Sequence, residues 1–232
     1  MTFVQIIDYE THRPEDLNAA LDRWLEQSDG KRTATHSMVG KDLDSATHFV
    51  DVVEFPSYEA AMRNSALPET DRMFKEMVAL CDGMPQFTNL DVVRDENLNK
   101  VLVNRTFDAI AAEDGFAFVE ECFAEGYVDH DIMPNTSGAT GREIIRHDVG
   151  MWRDAFDFSF TMDRQVAEGD SVATLWTWTG VHRGEFMGVA PTGKECTMTG
   201  CTVFRIADGQ IAEGWWQFDA MSLMRQLGMT ES

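Results

Sequence analysis

The chain has 232 residues, 44% of them apolar, which is enough to bury one large core or two compact ones, and this length favours two domains. Its 40 acidic residues against 19 basic ones give a formal charge of -21, which repels nucleic acid phosphates and anionic lipid head groups. We therefore expect neither nucleic acid nor a membrane as a partner, and a solvated acidic surface accounts for the charge.

The opening residues, MTFVQIIDYETHRPEDL, show no basic leader followed by an apolar run, and no stretch approaches the roughly 20 apolar residues that span a bilayer. We therefore expect a cytoplasmic protein. Its four cysteines lack the CxxC spacing of a zinc site, and without an export signal a disulfide framework is not expected.

The first half of the chain is predicted to alternate strands and helices. Residues typical of strands occur at 3–9, 33–39, 47–55 and 87–93, and the polar GKDLDS between the second and third strands marks a hairpin. One helix begins near Pro14, and a second carries the apolar stripe Met73, Met77 and Leu80 before Gly83. This order of strands and helices is typical of a ferredoxin-like unit.

Beyond the charged run RDENLNK (94–100) the pattern changes, so we place the domains at 1–96 and 97–232. Helices are predicted at 101–110, 116–123, 144–156 and 221–227, and strands at 158–167, 172–182, 195–206 and 210–218. Helices followed by a meander of long strands predict an α+β domain in which a curved sheet wraps around the helices and leaves a conical cavity.

Four segments of the second half resemble successive segments of one enzyme family. They are YVDHD (127–131), VHRGEFMGVAPTGK (181–194), FRIADGQIAEGWWQFD (204–219) and SLMRQLG (222–228). In this order and spacing they resemble the SnoaL-like polyketide (ester) cyclases of the NTF2-like superfamily. The resemblance implies an NTF2-like cone and a cofactor-free aldol ring closure by a general acid/base carboxylate in an apolar pocket. By position, it implies that this carboxylate is Asp219 and that His130 is the pocket histidine.

The chemistry expected of Asp219 follows from its surroundings. A methylene flanked by carbonyls is acidic enough for one oriented carboxylate to remove its proton, and an apolar surround would raise the pKa of Asp219 toward neutrality. Strand alternation places Asp219 on the same face as Trp215 and Gln217, which would supply an aromatic wall and an amide to the substrate. The alternative is that Asp219 ends the strand and caps the final helix.

Two histidines are further candidates. His130 lies between Asp129 and Asp131, which could orient its ring, although a loop histidine is also commonly structural. Neighbouring residues of an extended segment point to opposite sides, so no metal site is expected there. His182 is in phase with the tryptophans of its strand and lies either on the pocket wall or in the packed core.

Three apolar residues complete the predicted substrate site. Phe186 and Met187, just before the loop GVAPTG (188–193), are expected at the pocket rim, and Trp152 is expected on the pocket wall. The loop also fits simple turn chemistry. Relatives commonly carry His in an EHW motif where this chain has Gly214, which changes the acid/base network of the site.

The first domain resembles the dimeric α/β barrel proteins, which include antibiotic-biosynthesis monooxygenases, chiefly in HFVDVVEFPSYEAAM (48–62). In that group two sheets pack face to face in a dimer, and small ligands bind between sheet and helices. His36 and His48 lie in predicted strands and could face such a cleft. Structural roles are commoner for such histidines, and no catalytic role is assigned to them.

The leading hypothesis is a cofactor-free cyclase or isomerase that acts on a hydrophobic, polyketide-like carbonyl compound. The alternatives are a monooxygenase activity of the first domain coupled to the cyclase-like domain, and a non-catalytic dimeric protein that binds a small ligand. Both halves resemble groups that tend to pair, so we expect a homodimer.

Overall fold

The computed structural model describes residues 2–112, 115–130 and 138–229. The chain forms two compact units, Met1–Asp95 and Glu96–Ser232, and each has its own sheet. None of the helices in the described part of the chain is long and apolar enough to cross a membrane.

The first unit is a four-stranded antiparallel sheet with three helices. Its strands are β1 (Phe3–Glu10), β2 (His36–Lys41), β3 (His48–Phe55) and β4 (Gln86–Asp91), and its helices are α1 (Pro14–Gln27), α2 (Tyr58–Ser65) and α3 (Pro68–Leu80). The strand order is β2-β3-β1-β4, and every neighbouring pair is antiparallel. This order and connectivity are those of a ferredoxin-like unit.

Helix α2 was not predicted from the sequence. It begins after Ser57, whose hydroxyl accepts a hydrogen bond from the amide of Ala60 at 3.2 Å, and Pro68 starts α3 only three residues after α2 ends. Eight residues are too few to give a clear apolar repeat, so the cap defines this helix better than its periodicity does.

The second unit is an α+β domain with a five-stranded sheet. Its helices are α4 (Leu98–Ala111), α5 (Ala117–Cys122), α6 (Arg142–Ala155) and α7 (Ala220–Leu227), and its strands are β5 (Phe123–Asp129), β6 (Phe156–Glu168), β7 (Ser171–His182), β8 (Glu195–Ala207) and β9 (Gln210–Phe218). The strand order is β5-β9-β8-β7-β6, in which β6 to β9 form an antiparallel meander and β5 runs parallel to β9.

Strand β5 was not predicted from the sequence, which ended the second helix of this half at residue 123 and placed no strand before residue 158. Phe123 and Tyr127 are spaced like residues on one helix face, but both are buried in the sheet core. The strand pairs Val128 with Glu213 and Asp129 with Gly214. This pairing places Asp129 beside the middle of β9.

Large aromatic side chains cover the inner face of the second sheet. Trp176 on β7 pairs with Gly200 on β8, and a Cβ atom at Gly200 would overlap the Trp176 indole. The indole N–H donates to the hydroxyl of Thr202 at 2.9 Å, which satisfies its one donor inside the core. The glycine therefore makes room for an indole that lies across the neighbouring strand.

A bulge in β9 decides which of its residues face inward. Ile206 of β8 pairs with Ile211, but Arg205 pairs with Glu213, so Ala212 is an extra residue on β9. Ile211 is fully buried, and after the bulge the inward positions are even-numbered, beginning with the buried Gly214.

An aromatic cavity with two carboxylates

The second unit contains a cavity of about 70 Å³ between its curved sheet and helices α4 and α6. Its aromatic lining residues are Trp152, Phe158, Phe160, Trp176, Trp178, Trp216 and Phe218, and its aliphatic ones are Ile110, Ile145, Val149 and Met198. Such a wall favours an apolar ligand.

Trp152 of α6 organises one side of this wall. Its ring centroid lies 5.7 Å from that of Trp178 and 6.2 Å from that of Phe218, both in edge-to-face geometry. Phe186 packs 5.1 Å from the same indole. These contacts fix the orientation of the indole, because edge-to-face pairs prefer defined angles between ring planes.

Two carboxylates, Asp129 and Asp148, are the ionisable side chains that line the cavity in the described part of the chain. Asp129 ends β5, and Asp148 lies on α6 one turn before Trp152. Both are partly exposed, and Oδ1 of Asp148 lies 2.9 Å from Nδ1 of the neighbouring His147. The cavity therefore offers carboxylates as its proton donors or acceptors.

Asp219 does not line this cavity. The prediction that it lies in an apolar pocket is therefore wrong. Strand β9 ends at Phe218, and Asp219 is the exposed N-cap of α7. Its Oδ1 accepts a hydrogen bond from the amide of Ser222 at 2.9 Å. The structure thus has the capping arrangement that the sequence left open as the alternative.

Trp215 and Gln217 share a face of β9, as alternation predicts, but that face points away from the cavity. Gln217 is exposed, and the inward positions beyond the bulge belong to Trp216 and Phe218. The prediction failed because the sequence WW offers an aromatic residue to either face, and the bulge at Ala212 decides between them.

His130 also lies outside the cavity, although Asp129 next to it lines the wall. Its ring stacks on Trp215 with centroids 4.5 Å apart, and its Nε2 lies 3.0 Å from Oε2 of Glu213. Arg205 donates to the same carboxylate at 2.8 Å. Two hydrogen bonds hold the pKa of Glu213 below its ordinary value: the one from His130 has the larger effect, and the one from Arg205 the smaller. Asp131, on the other side of His130 in the sequence, lies outside the described residues.

His182 is a core residue. Its side chain is completely buried, and its ring centroid lies 5.0 Å from that of Phe156. Nδ1 accepts a hydrogen bond from the amide of Thr192 at 3.2 Å, so a neutral ring carries its proton on Nε2. Nε2 has no hydrogen-bond partner among the described residues, and His182 does not line the cavity.

The two residues predicted at the rim also lie away from the cavity. Phe186 is buried behind Trp152, and Met187 is exposed with a positive φ of 48°. All eight residues of the predicted site lie within the described part of the chain, and of these Trp152 lines the cavity.

Residues 101–227 match the family model of the SnoaL-like polyketide cyclases. The chain belongs to this family. The match confirms the NTF2-like α+β cone expected for the second unit. None of the curated proteins compared with the chain matches it.

Solved structures resemble the second unit of this SnoaL-like chain. TsrD from Streptomyces laurentii is 27% identical, with a TM-score of 0.52 over 59% of this chain and 99% of TsrD. A protein from Jannaschia sp. CCS1, assigned as a SnoaL-like polyketide cyclase, is 23% identical, with a TM-score of 0.52 over 61% of this chain and 99% of that one. A protein from Acidithiobacillus ferrooxidans, assigned as a polyketide cyclase, is 23% identical, with a TM-score of 0.53 over 60% of this chain and 100% of that one. The last two show the fold alone.

Gly214, for which the resemblance to SnoaL-like proteins implied a histidine, faces the core. A Cβ atom at this position would overlap the hydroxyl of Tyr127 on β5 and press on the ring of Phe204. Trp216 Nε1 lies 3.4 Å from the same hydroxyl. Tyr127 therefore fills the space that a side chain at Gly214 would occupy.

Asp148 of this SnoaL-like domain was not predicted as a site residue from the sequence. Ile145, Asp148, Val149 and Trp152 have the spacing of one helix face, so Asp148 interrupts an otherwise apolar stripe. A carboxylate in such a stripe was the signal that could have found it. In the part of the chain that the structure describes, no group of three His, Cys, Asp or Glu side chains could hold a metal ion.

The two strand histidines of the first unit lie on the sheet face opposite the helices. His48 Nδ1 is 2.7 Å from Asp42, and its Nε2 is 3.2 Å from Asp8; these contacts raise the pKa of His48. His36 is 3.5 Å from Glu54 on the same face. Neither ring therefore faces a cleft between sheet and helices.

Proposed function

We propose that the second unit closes a ring in, or isomerises, an apolar polyketide-like carbonyl compound by acid/base chemistry, with Asp129 and Asp148 as the groups that move protons. One observation carries the proposal: among the described residues, these two carboxylates are the ionisable side chains on a wall otherwise built of aromatic and aliphatic groups. Membership of the SnoaL-like polyketide cyclase family supports a cyclase-type reaction.

The proposed reaction needs one base and one acid in sequence. A carboxylate removes a proton from a carbon flanked by carbonyls, and the carbanion attacks a second carbonyl of the same molecule. The new C–C bond leaves an alkoxide, which takes a proton back from a carboxylic acid group. No electrons are gained or lost overall.

The aromatic wall supports this chemistry in two ways. It binds an apolar chain in a folded conformation, which brings the carbanion and the acceptor carbonyl within reach. It also excludes water from the reacting atoms, so the carbanion is less easily quenched by a solvent proton. Trp152, whose indole contacts Trp178 and Phe218, would hold the shape of this wall.

The test uses nonane-2,4,8-trione, in which the methylene between two carbonyls can close a six-membered ring on the third. We expect the purified chain to accelerate ring closure over buffer. Asp129→Asn and Asp148→Asn should each lower kcat/KM by about 10² or more, the usual contribution of a general acid or base. Product formation is followed by its ultraviolet absorbance.

Asp219→Asn is the matched comparison, because it changes a carboxylate of the same unit that the structure places at an exposed helix cap. Turnover should stay within about threefold of the wild type, since asparagine also caps helices well. If Asp219→Asn lowered kcat/KM as much as Asp148→Asn does, the assignment of proton transfer to the cavity carboxylates would be overturned. Ligand binding without ring closure in the wild type would instead favour a non-catalytic binding protein.

We also propose that the chain forms a homodimer through the open face of the first sheet. Val4, Ile6, Val50 and Val52 are partly buried on this face, which also carries Met38, 55% exposed. The apolar centre of this face is flanked by the histidines and carboxylates described above, and an apolar patch with a polar rim is typical of a protein–protein contact. The same face of a second copy is self-complementary in a two-fold dimer, as in the dimeric α/β barrel proteins that the first unit resembles.

A further inference from the structure

The first unit has a cavity of its own. It measures about 370 Å³ and lies between the sheet and helices α1 and α3. It falls between two separate core clusters: Phe3, Phe55, Ala60 and Ala61 pack at one end of the sheet, and Tyr9, Leu17, Phe49 and Met77 pack at the other. This leaves a space over the middle of the sheet, which side chains of α1 and α3 line without filling.

A buried carboxyl, Asp51, lies at this unfilled middle. It occupies β3 opposite Ile7 of β1, is 3% exposed and lines the cavity. The hydroxyl of Tyr9 donates to its Oδ1 at 2.9 Å. No other hydrogen bond to this carboxyl is found within residues 2–112, 115–130 and 138–229.

The fold alone does not account for a carboxyl in this place. Burial raises the pKa of Asp51 to about 6, against the opposing effect of the Tyr9 hydrogen bond, so it is mostly ionised near neutral pH at a cost in desolvation. Buried carboxylates usually have several donors, whereas this one has a single donor and an oxygen left for another partner. The cavity in front of it has room for that partner.

The remaining lining indicates the class of ligand. Trp24, Phe55, Phe74 and Phe87 supply aromatic surface, and the Trp24 indole is held by a 3.1 Å hydrogen bond to Thr70. Phe74 and Phe87 meet edge to face at 5.8 Å. None of the lining residues that the structure describes is Lys or Arg, so nothing in the cavity favours an anion.

We propose that this cavity is a second ligand site, which takes a neutral aromatic molecule bearing a phenol or enol hydroxyl. The hydroxyl donates a hydrogen bond to the available oxygen of Asp51, and the ring packs among the four aromatic side chains. A hydrogen bond to a charged acceptor is stronger than one to a neutral acceptor, which gives the hydroxyl its selectivity. This site is independent of the reaction proposed for the second unit.

The test compares 2-naphthol with 2-methoxynaphthalene, which has the same rings but no hydroxyl donor. Full-length protein is labelled with 5-fluorotryptophan, and the ¹⁹F resonance of Trp24 is assigned with Trp24→Phe. Since the other five tryptophans all lie beyond residue 95, the Trp24 signal reports on this cavity. We expect 2-naphthol to shift it saturably, and Asp51→Asn to weaken this binding about tenfold or more, with 2-methoxynaphthalene affected less than threefold.

A second variant tests the same cavity independently, in case Asp51→Asn does not fold. Ser37 is an exposed lining residue, and Ser37→Phe should obstruct the cavity and weaken binding of both compounds alike. The proposal is overturned if 2-naphthol leaves the Trp24 signal unchanged up to its solubility limit, or if both compounds bind equally well to wild type and to Asp51→Asn. Shifts confined to the other tryptophans would place the ligand in the second unit, which contradicts this inference and leaves the proposed function standing.

Discussion

Folding changes the proton affinity of Asp51, because its side chain loses its contacts with water and gains only one hydrogen-bond donor, the hydroxyl of Tyr9. Its pKa rises from an ordinary value of 3.8 to about 6, with burial as the main cause. Between these two values the folded chain binds more protons than the unfolded chain. The contribution of Asp51 to stability is therefore full below about pH 4 and is lost as pH rises through about 6.

We predict that Asp51→Asn removes this dependence on pH. In the wild type, the free energy of unfolding of the first unit should lose about 2 kcal/mol from this group between pH 4 and 6.5, whereas in the variant that decline should be absent. Urea titration of the full chain, followed by the ¹⁹F signal of 5-fluorotryptophan at position 24, measures it. Asp22→Asn, an exposed carboxylate of α1, is the control and should keep the wild-type slope. Parallel slopes for wild type and Asp51→Asn would contradict the prediction.

At the residue scale, the sequence located the right strand but chose the wrong face of it. Trp215, Gln217 and Asp219 do share one side, as alternation predicts. The side that faces the cavity, however, depends on the extra residue Ala212, and a single-residue bulge leaves no signal in a pattern of apolar and polar residues. Asp148 was recognisable in principle, since a carboxylate interrupts the apolar stripe of α6.

Strands β5 and β9 fit together through a tyrosine and a glycine. Tyr127 on β5 is 2% exposed, and its hydroxyl occupies the space next to Gly214 on β9. The two strands are parallel neighbours, and Asp129 of the cavity lies at the end of the same contact. The fit of the Tyr127 side chain against Gly214 thus helps to position one of the two cavity carboxylates.

Gly214→Ala should destabilise the second unit by about 1–3 kcal/mol, because the new methyl group meets the Tyr127 hydroxyl and the Phe204 ring. In a Tyr127→Phe background the hydroxyl is gone, so the same substitution should cost about 1 kcal/mol less, a coupling that a double-mutant cycle in urea measures.

Gly126→Ala serves as the control for this cycle, because Gly126 is also on β5 and its Cβ would meet open space. Its effect on stability should stay within about 0.5 kcal/mol. Strict additivity of Gly214→Ala and Tyr127→Phe would mean that the hydroxyl does not limit the space at Gly214.

At the element scale, helices and strands with a long, regular apolar pattern were predicted from the sequence, whereas two short ones were missed. The four strands of the meander and helices α1, α3 and α6 follow from clear periodicity. Strand β5 was missed because Phe123 and Tyr127 have helical spacing, and its parallel partner β9 lies more than 80 residues away. Helix α2 was missed because its eight residues give no repeat.

The chain as a whole combines a strongly negative charge with an apolar patch on the open face of the first sheet. A charge of -21 on each copy opposes association, and this repulsion is screened as the Debye length falls from about 10 Å at 0.1 M salt to about 3 Å at 1 M. Salt does not weaken the apolar attraction between the two sheet faces, because that attraction does not depend on charge. The proposed dimer should therefore be favoured at higher salt.

We predict that light scattering in 0.3 M NaCl gives a mass twice that of the 26.2 kDa chain, with a dimer fraction that falls at low salt. Met38→Glu places a charge within the proposed contact and should yield monomer. Met84→Glu adds the same charge at a 70% exposed methionine in the loop after α3, and should leave the dimer intact. A monomeric wild type would exclude the dimer, and equal effects of the two substitutions would mean that the copies associate through a different surface.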